Sequence, residues 1–218
     1  MLDFPKSTLF SKRIPKQKFY EKLSVSTNLE KQFSKEVDTI YWKNKLSTET
    51  INVSAGVKVS EIEVFEITLK EQSISKNIIE VIDREIPYHL VFVLRYKDLG
   101  QIWICFKEGS KSREGKFKVD SYYKTAWSRY DDLSLEIEGL NLDKIYENFM
   151  LQVADGKLQI ENGFDIKDAV SKAKEQEKLE ALIKKLEIKI MNEKQYNRQV
   201  KLMGELRKAK DQLGINLK

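Results

Sequence analysis

The sequence predicts an α+β or α/β fold, with a mixed-sheet N-terminal domain followed by a helical coiled-coil arm. Residues 61–69 are dense in β-branched and aromatic side chains, which favours a strand. The run 90–96 is almost continuously apolar, as in a strand that is buried on both faces. Between 179 and 213 apolar residues recur at spacings of three and four among Lys and Glu, the pattern of a coiled coil. We therefore expect a globular domain over 1–156 and a coiled-coil arm over 157–218.

The predicted domain alternates extended and helical segments. Residues 1–18 form a basic leader that we expect to be a loop, because two prolines prevent a continuous helix. Ser26 or Thr27 would cap one helix and Ser75 a later one, which Pro87 would end. In order, we expect a helix within 18–35, strands at 39–46, 50–54 and 57–69, a helix at 73–83, a hairpin of strands at 90–96 and 101–107, an extended segment at 117–126 and a helix at 142–153.

The arm carries two heptad runs that are out of phase, because Ile190 and Leu202 are twelve residues apart. Either one long helix contains a register slip, or the chain turns back near 192–197. We favour the antiparallel hairpin, in which Asn197 would cap the second helix. An apolar stripe of this kind needs another apolar surface in water, so we expect it to bind a protein partner or a second copy of the chain. The predicted partner-binding residues are Leu179, Ile183, Leu186, Ile190, Leu202, Leu206 and Leu213.

The composition narrows the class of protein. One third of the 218 residues are charged and the net charge is +5, which permits binding to polyanions without requiring it. With one cysteine and one histidine, the chain has neither an internal disulfide nor a zinc cluster of Cys and His. No apolar run has the length of a signal peptide or of a membrane span. We therefore expect a cytoplasmic protein with no metal and no cofactor.

Basic residues are concentrated in the leader and in the segment 107–129, where aromatic residues lie among them. That mixture suits contacts with nucleic-acid phosphates and base stacking, and it also suits an ordinary solvated edge with core aromatics on its other side. The predicted nucleic-acid contacts are Lys12, Arg13, Lys16, Lys111, Arg113, Lys116 and Lys118.

Neither nucleophilic catalysis nor nucleotide binding has a strong motif. His89 opens the apolar strand and suits a general base, but Cys105 lies between Ile104 and Phe106, which favours a buried thiol. We expect both residues to be structural. No glycine-rich phosphate loop is present, so the chain is not predicted to be an ATPase or a methyltransferase of that kind.

Six segments spread over most of the chain resemble a bacterial family defined by a domain of unknown function. They are "MLDFPKSTLF", "RIPKQKFYEKL", "IYWKNKLSTETINVSAG", "EIEVFEITL", "IDREIPYHLVFVL" and "EKQYNRQVKLMGELRK". Members of that family are often encoded beside Swi/Snf-type and DEAD-type helicases and DNA adenine methyltransferases. The resemblance therefore implies a role in restriction-modification or antiviral defence, with a helicase or methyltransferase subunit as the partner.

A divergent metal-dependent nuclease is the enzyme that such a setting favours. A restriction-type site needs an acid, followed by a strand that bears Glu-x-Lys or Asp-x-Lys. Here Glu66 is followed by Thr68 at that spacing, and Lys70 comes two positions too late. The residues of this alternative are Asp38, Glu63, Glu66 and Lys70.

The sequence thus predicts a non-catalytic accessory subunit of a bacterial DNA-defence assembly. The subunit would dock through its coiled-coil arm and contact DNA through its basic loops. The nuclease is one alternative, and a homodimeric structural protein whose arms pair with each other is another.

Overall fold

The structure is a computed structural model that describes residues 2–21, 26–109, 117–159 and 165–214. The chain divides into two compact units, Met1–Lys157 and Leu158–Lys218. The sequence predicted the boundary one residue earlier, between 156 and 157. The first unit is a mixed sheet with helices, and the second is a pair of long helices. The predicted α+β class is therefore confirmed.

A mixed sheet of seven strands forms the first unit within the described residues. Six strands lie side by side in sequence order, and the short seventh pairs with the fifth. Neighbouring strands are antiparallel except the third and fourth, which are parallel because a helix connects them. The strands are β1 Leu9–Arg13, β2 Val37–Leu46, β3 Ile62–Leu69, β4 His89–Tyr96, β5 Leu99–Gly109, β6 Phe117–Lys124 and β7 Ser128–Arg129.

Five helices belong to this unit within the described residues. Ser26 caps the second, as predicted, by accepting a hydrogen bond from the Leu29 amide. Asn141 caps the fifth in the same way through the Lys144 amide. The helices are α1 Gln17–Glu21, α2 Thr27–Glu36, α3 Thr48–Ile51, α4 Lys76–Glu85 and α5 Leu142–Ala154.

Both faces of the sheet are covered, which explains the continuous apolar run of β4. Leu90, Phe92 and Leu94 pack with the apolar face of α4 in one core. Val91 and Val93 point to the other face because successive side chains of a strand alternate, and both are buried. Helix α5 contacts β5 and β6 with its own buried stripe. The prediction of a strand buried on both faces is therefore confirmed.

Two local predictions for the first unit are wrong, and the strand predicted at 57–69 begins only at Ile62. The leader contains β1 where a loop was predicted, and all five residues of this strand are exposed, so no alternation of burial marked it. Its pairing with β2 holds it at the sheet edge. The segment predicted as a strand at 50–54 contains the end of α3 instead. Ser47 and Thr50 form a capping box there, which fixes a helical turn.

The second unit is an antiparallel helical hairpin, as predicted. It consists of α6 Ile166–Asn192 and α7 Tyr196–Gln212. The Gln199 side-chain amide donates to the Ile190 carbonyl, and Lys210 pairs with Glu187 at 2.8 Å. Gln195 is the N-cap of α7, so the prediction of Asn197 as the cap is wrong. Among the described residues, no helix combines the length and apolarity that crossing a bilayer requires.

Candidate functional site

The four residues of the nuclease alternative do not converge on one point. In the ladder between β2 and β3, Glu63 lies opposite Lys45 near one end, whereas Leu69 lies opposite Val37 at the other end. Asp38 and Lys70, the neighbours of Val37 and Leu69, therefore sit at the end far from Glu63. Glu66 points to the face opposite Glu63 because the two are three positions apart on a strand. The described residues contain no group of three His, Cys, Asp or Glu side chains placed to hold a metal ion.

Glu66 is held by a network of its own. Its carboxylate accepts a hydrogen bond from the Tyr130 hydroxyl and pairs with Lys43 at 3.5 Å. The Arg95 guanidinium lies 4.5 Å from the centre of the Tyr130 ring. Both carboxylate oxygens therefore have partners, which suits a structural role.

Glu63 is fully buried beside a second carboxylate. Its Oε2 accepts a hydrogen bond from Trp42 Nε1 at 2.6 Å. Burial raises the pKa of Glu63 to about 8, and a hydrogen bond with Glu61 adds to the increase. Glu61 itself pairs with Lys45 at 2.9 Å. The Glu63 carboxyl group is therefore predominantly protonated at neutral pH.

His89 and Cys105 lie in a buried polar cluster. Burial, followed by the charge of Lys107, lowers the pKa of His89 to about 3, so the imidazole is neutral at physiological pH. Its ring meets the Tyr146 ring edge-on, with 4.7 Å between the centroids. The Cys105 thiol donates to Asp83 Oδ2 at 3.0 Å, and burial raises the pKa of that thiol. A buried, protonated thiol is a poor nucleophile, so the cluster favours the structural interpretation of both residues.

The basic residues predicted to contact nucleic acid fall in two places. Arg13 and Lys16 line a cleft of about 300 Å³ with Asp38, and Lys12 is exposed on β1. Lys118 belongs to β6, but its side chain lies outside the described structure. Lys111, Arg113 and Lys116 lie outside the described residues.

The predicted partner-binding stripe of the arm is partly covered within the hairpin. Of its seven residues, Leu186 is buried and the other six are half-buried. Ala209 of α7 is also buried. The stripe therefore contributes to closing the hairpin, and partner binding by these seven residues stays a prediction.

A second set of apolar side chains is exposed at the closed end of the hairpin. Met191 is 85% and Tyr196 76% exposed, on either side of the turn, and three further residues are about half exposed. Tyr196, Val200 and Met203 share one face of α7, since their spacing is four and three. We call this set the tip cluster: Ile188, Met191, Tyr196, Val200 and Met203.

Sequence reasoning missed the tip cluster although a signal was present. The spacing of Tyr196, Val200 and Met203 is the same as that of the half-buried stripe. Two stripes on one helix look alike in sequence, and only the packing decides which one the hairpin covers.

Comparison with known proteins identifies the family but not an activity. No curated protein and no solved structure shows significant similarity to the chain. The family described as Domain of unknown function (DUF4391) matches residues 2–213, which is nearly the whole chain. The protein is therefore a member of the DUF4391 family.

Proposed function

We propose that this protein is a non-catalytic accessory subunit of a cytoplasmic DNA-defence or restriction-modification assembly in bacteria. It docks on a protein partner, a helicase or methyltransferase subunit, through the tip of its helical hairpin. The family resemblance supplies the setting, and the geometry of the second unit supports the docking role. The observation that carries the proposal is the tip cluster.

The tip cluster has the character of a docking surface. Five large apolar side chains sit within two turns of the connection between α6 and α7. A group of large apolar residues exposed together marks an interaction site, whereas single exposed apolar residues are ordinary on a protein surface. Burying each of them against a partner would contribute about 1.5–3 kcal/mol before the costs of association.

The charges around the tip cluster narrow the chemistry of the partner. Lys194, Arg198 and Lys201 are exposed beside it. An apolar patch with a basic rim is complementary to an apolar groove with acidic residues at its edge. Such complementarity sets orientation and association rate more than affinity, so binding should weaken only moderately with salt.

The experiment is co-purification of the full chain from its native host. Met191→Glu with Val200→Glu places two charges in the tip cluster, whereas Leu140→Glu places one on an exposed apolar residue of the first unit. We expect a helicase or methyltransferase subunit to co-purify with the wild-type and Leu140→Glu chains. It should be lost with the double variant. Equal recovery with both variants contradicts docking through the tip.

The homodimer is distinguished by the mass in solution. If the tip cluster binds a different protein and not a second copy, light scattering of the purified full chain gives the mass of one chain, 25.6 kDa. Twice that mass, returning to one chain in Met191→Glu with Val200→Glu, supports the homodimer instead.

The nuclease is distinguished by cleavage. That alternative requires Mg²⁺ or Mn²⁺ to promote DNA cleavage by the purified chain, and it requires Glu66→Ala to abolish the cleavage. Because Glu66 is engaged by Tyr130 and Lys43, we expect no cleavage by either chain.

A further inference from the structure

We propose that the cleft between the leader and β2 binds a phosphate of single-stranded nucleic acid, with Phe10 beside it as a platform for one base. This inference rests on the proposed role beside DNA and names the surface and the form of nucleic acid involved. We call this surface the leader cleft and define it by Arg13, Lys16, Asp38 and Lys70.

The leader cleft concentrates positive charge. Arg13, Ile14 and Lys16 line one side, and Asp38 and Ile40 line the other, around about 300 Å³. Lys70 follows β3 at the same end of the sheet and acts electrostatically on Lys16, as Arg13 does. The three cations and the single carboxylate leave a local excess of two positive charges. Burial, reinforced by the charge of Lys70, lowers the pKa of Lys16, so an anion bound here would relieve the repulsion.

The cations are positioned and still have donors to offer. The Lys16 ammonium donates to the Val37 carbonyl at 2.8 Å, and the Lys70 ammonium donates to the Ser34 carbonyl at 2.7 Å. Each ammonium has three N–H groups, so two remain on each for a ligand. Within the described part of the chain, the side chains of Arg13 and Asp38 form no hydrogen bond or ion pair. The Arg13 guanidinium therefore has its planar fork available for the two oxygens of a phosphate.

An aromatic pair lies on the face of the sheet to which one wall of the leader cleft belongs. The Phe10 ring packs on Trp42 with 4.3 Å between centroids and remains 45% exposed. Trp42 and Ile14 both pack against the same core cluster, so the Phe10–Trp42 pair and the Ile14 wall of the cleft lie on one face of the sheet. Arg13 lies opposite Tyr41 in the ladder, so its side chain starts from the other face and lines the cleft at the sheet edge, where β1 is the outermost strand.

This combination favours a single strand over a duplex. A half-exposed aromatic ring next to cations stacks on an unpaired base, which a duplex does not present. Cations alone would attract any polyanion, so the aromatic neighbour is what selects the ligand class. The leader supplies both the aromatic ring of Phe10 and the cations Arg13 and Lys16.

The test measures fluorescence anisotropy of a labelled 20-nucleotide single strand with the full chain at several salt concentrations. Arg13→Ala and Lys70→Ala should each weaken binding and flatten the salt dependence by about 0.7 in its logarithmic slope. Lys58→Ala is the matched control, because Lys58 precedes β3 and Lys70 follows it, so the two lie at opposite ends of that strand. The control should change neither quantity.

Two further variants distinguish an effect on nucleic-acid binding from a loss of folding. Asp38→Asn removes the only carboxylate of the leader cleft and should tighten binding by up to about fivefold, a gain that misfolding cannot produce. Phe10→Leu should weaken binding on the order of tenfold for the normal strand and leave an abasic strand of equal length unaffected.

Several results would overturn the proposal. The proposal is overturned if Lys58→Ala weakens binding as much as Lys70→Ala, or if Asp38→Asn brings no gain. It also fails if duplex DNA of the same length binds as tightly, or if only anionic lipid vesicles bind. The assay needs no protein partner, so its result is independent of the experiment on the hairpin tip.

Discussion

Lys107 and Asp83 form an ion pair that is completely buried, with 2.6 Å between Nζ and Oδ1. The ammonium also donates to the Tyr88 carbonyl at 2.6 Å. The other carboxylate oxygen accepts from the hydroxyl of Tyr122 at 2.9 Å and from the thiol of Cys105. Charges out of water are tolerated when they are paired and hydrogen-bonded. Here Asp83 Oδ1 has the ion pair with Lys107 as its contact, and Oδ2 accepts the two hydrogen bonds. The pair joins α4 to β5 and thereby fixes the crossover helix against the sheet.

Loss of one partner of this pair should be severe. Lys107→Met leaves the Asp83 carboxylate buried without its counter-charge, so we expect the free energy of unfolding to fall by about 3–5 kcal/mol. Lys35→Met is the matched control, because Lys35 pairs with Glu71 at 3.8 Å on the surface. That change should cost less than about 1 kcal/mol. Urea denaturation of both variants checks the prediction, and equal losses would contradict it.

The Asp143 carboxylate organises the loop before β3. It accepts hydrogen bonds from the amides of Val57, Lys58 and Val59 at 2.7 to 3.0 Å. A Cβ at Gly56 would lie 2.2 Å from Asp143 Oδ1, so only glycine fits there. We expect Asp143→Ala and Gly56→Ala each to destabilise the fold by about 1–3 kcal/mol.

The two substitutions should not add. Once Asp143 is replaced, one of the two groups that a Cβ at Gly56 would strike is gone, and the Val59 carbonyl at 2.6 Å remains. The double variant should therefore lose less stability than the sum of the single ones. A double-mutant cycle in thermal unfolding measures this coupling. Strict additivity would show that the loop does not depend on the carboxylate.

The buried Glu63 should make stability fall as the pH rises. Its folded pKa is about 8, above the ordinary value of 4.5, so the folded state keeps a proton that the unfolded state releases. The stabilisation is complete below about pH 4.5 and is lost progressively up to about pH 8, at about 1.4 kcal/mol for each pKa unit of difference. Glu63→Gln carries its hydrogen permanently and should remove this loss. Urea denaturation from pH 5 to 9 tests it, and parallel curves for the two chains would refute it.

His89 should make the stability of the fold decrease at acid pH. Its folded pKa of about 3 lies below the ordinary 6.5, so the unfolded state binds a proton that the folded state refuses. Stability is then complete above about pH 6.5 and falls as the pH is lowered towards 3. Proton NMR of this single histidine should show no titration between pH 8 and pH 5. A midpoint near 6.5 would mean that the ring is solvated.

Sequence reasoning succeeded where burial left a periodic or continuous apolar pattern. The runs that became β3, β4 and α4 are buried, and their spacing revealed them. The capping serine of α2 was equally visible, because an N-cap depends on local contacts alone. The exposed β1 left no such pattern, since pairing with β2 and the packing of Phe10 on Trp42 hold it at the sheet edge without burying it.

The polar residues were harder to place. Lys107 belongs to a basic segment in the sequence, and only the tertiary packing shows that it is buried against Asp83. Glu63 and Glu66 were paired in sequence as candidate acids, yet the strand alternation and their separate partners divide them. Arg13 and Asp38 came from two different predictions, and the pairing of β1 with β2 brings them to one cleft. Contacts that depend on the fold leave little trace in local sequence.

Amide hydrogen exchange tests most directly whether the hairpin tip is the docking surface. The full chain is compared alone and in the complex purified from its native host. We expect slowed exchange in the complex between 188 and 203, around the tip cluster, because burial of its apolar side chains excludes water from that turn. Protection confined to the first unit, with the tip unchanged, would contradict the account.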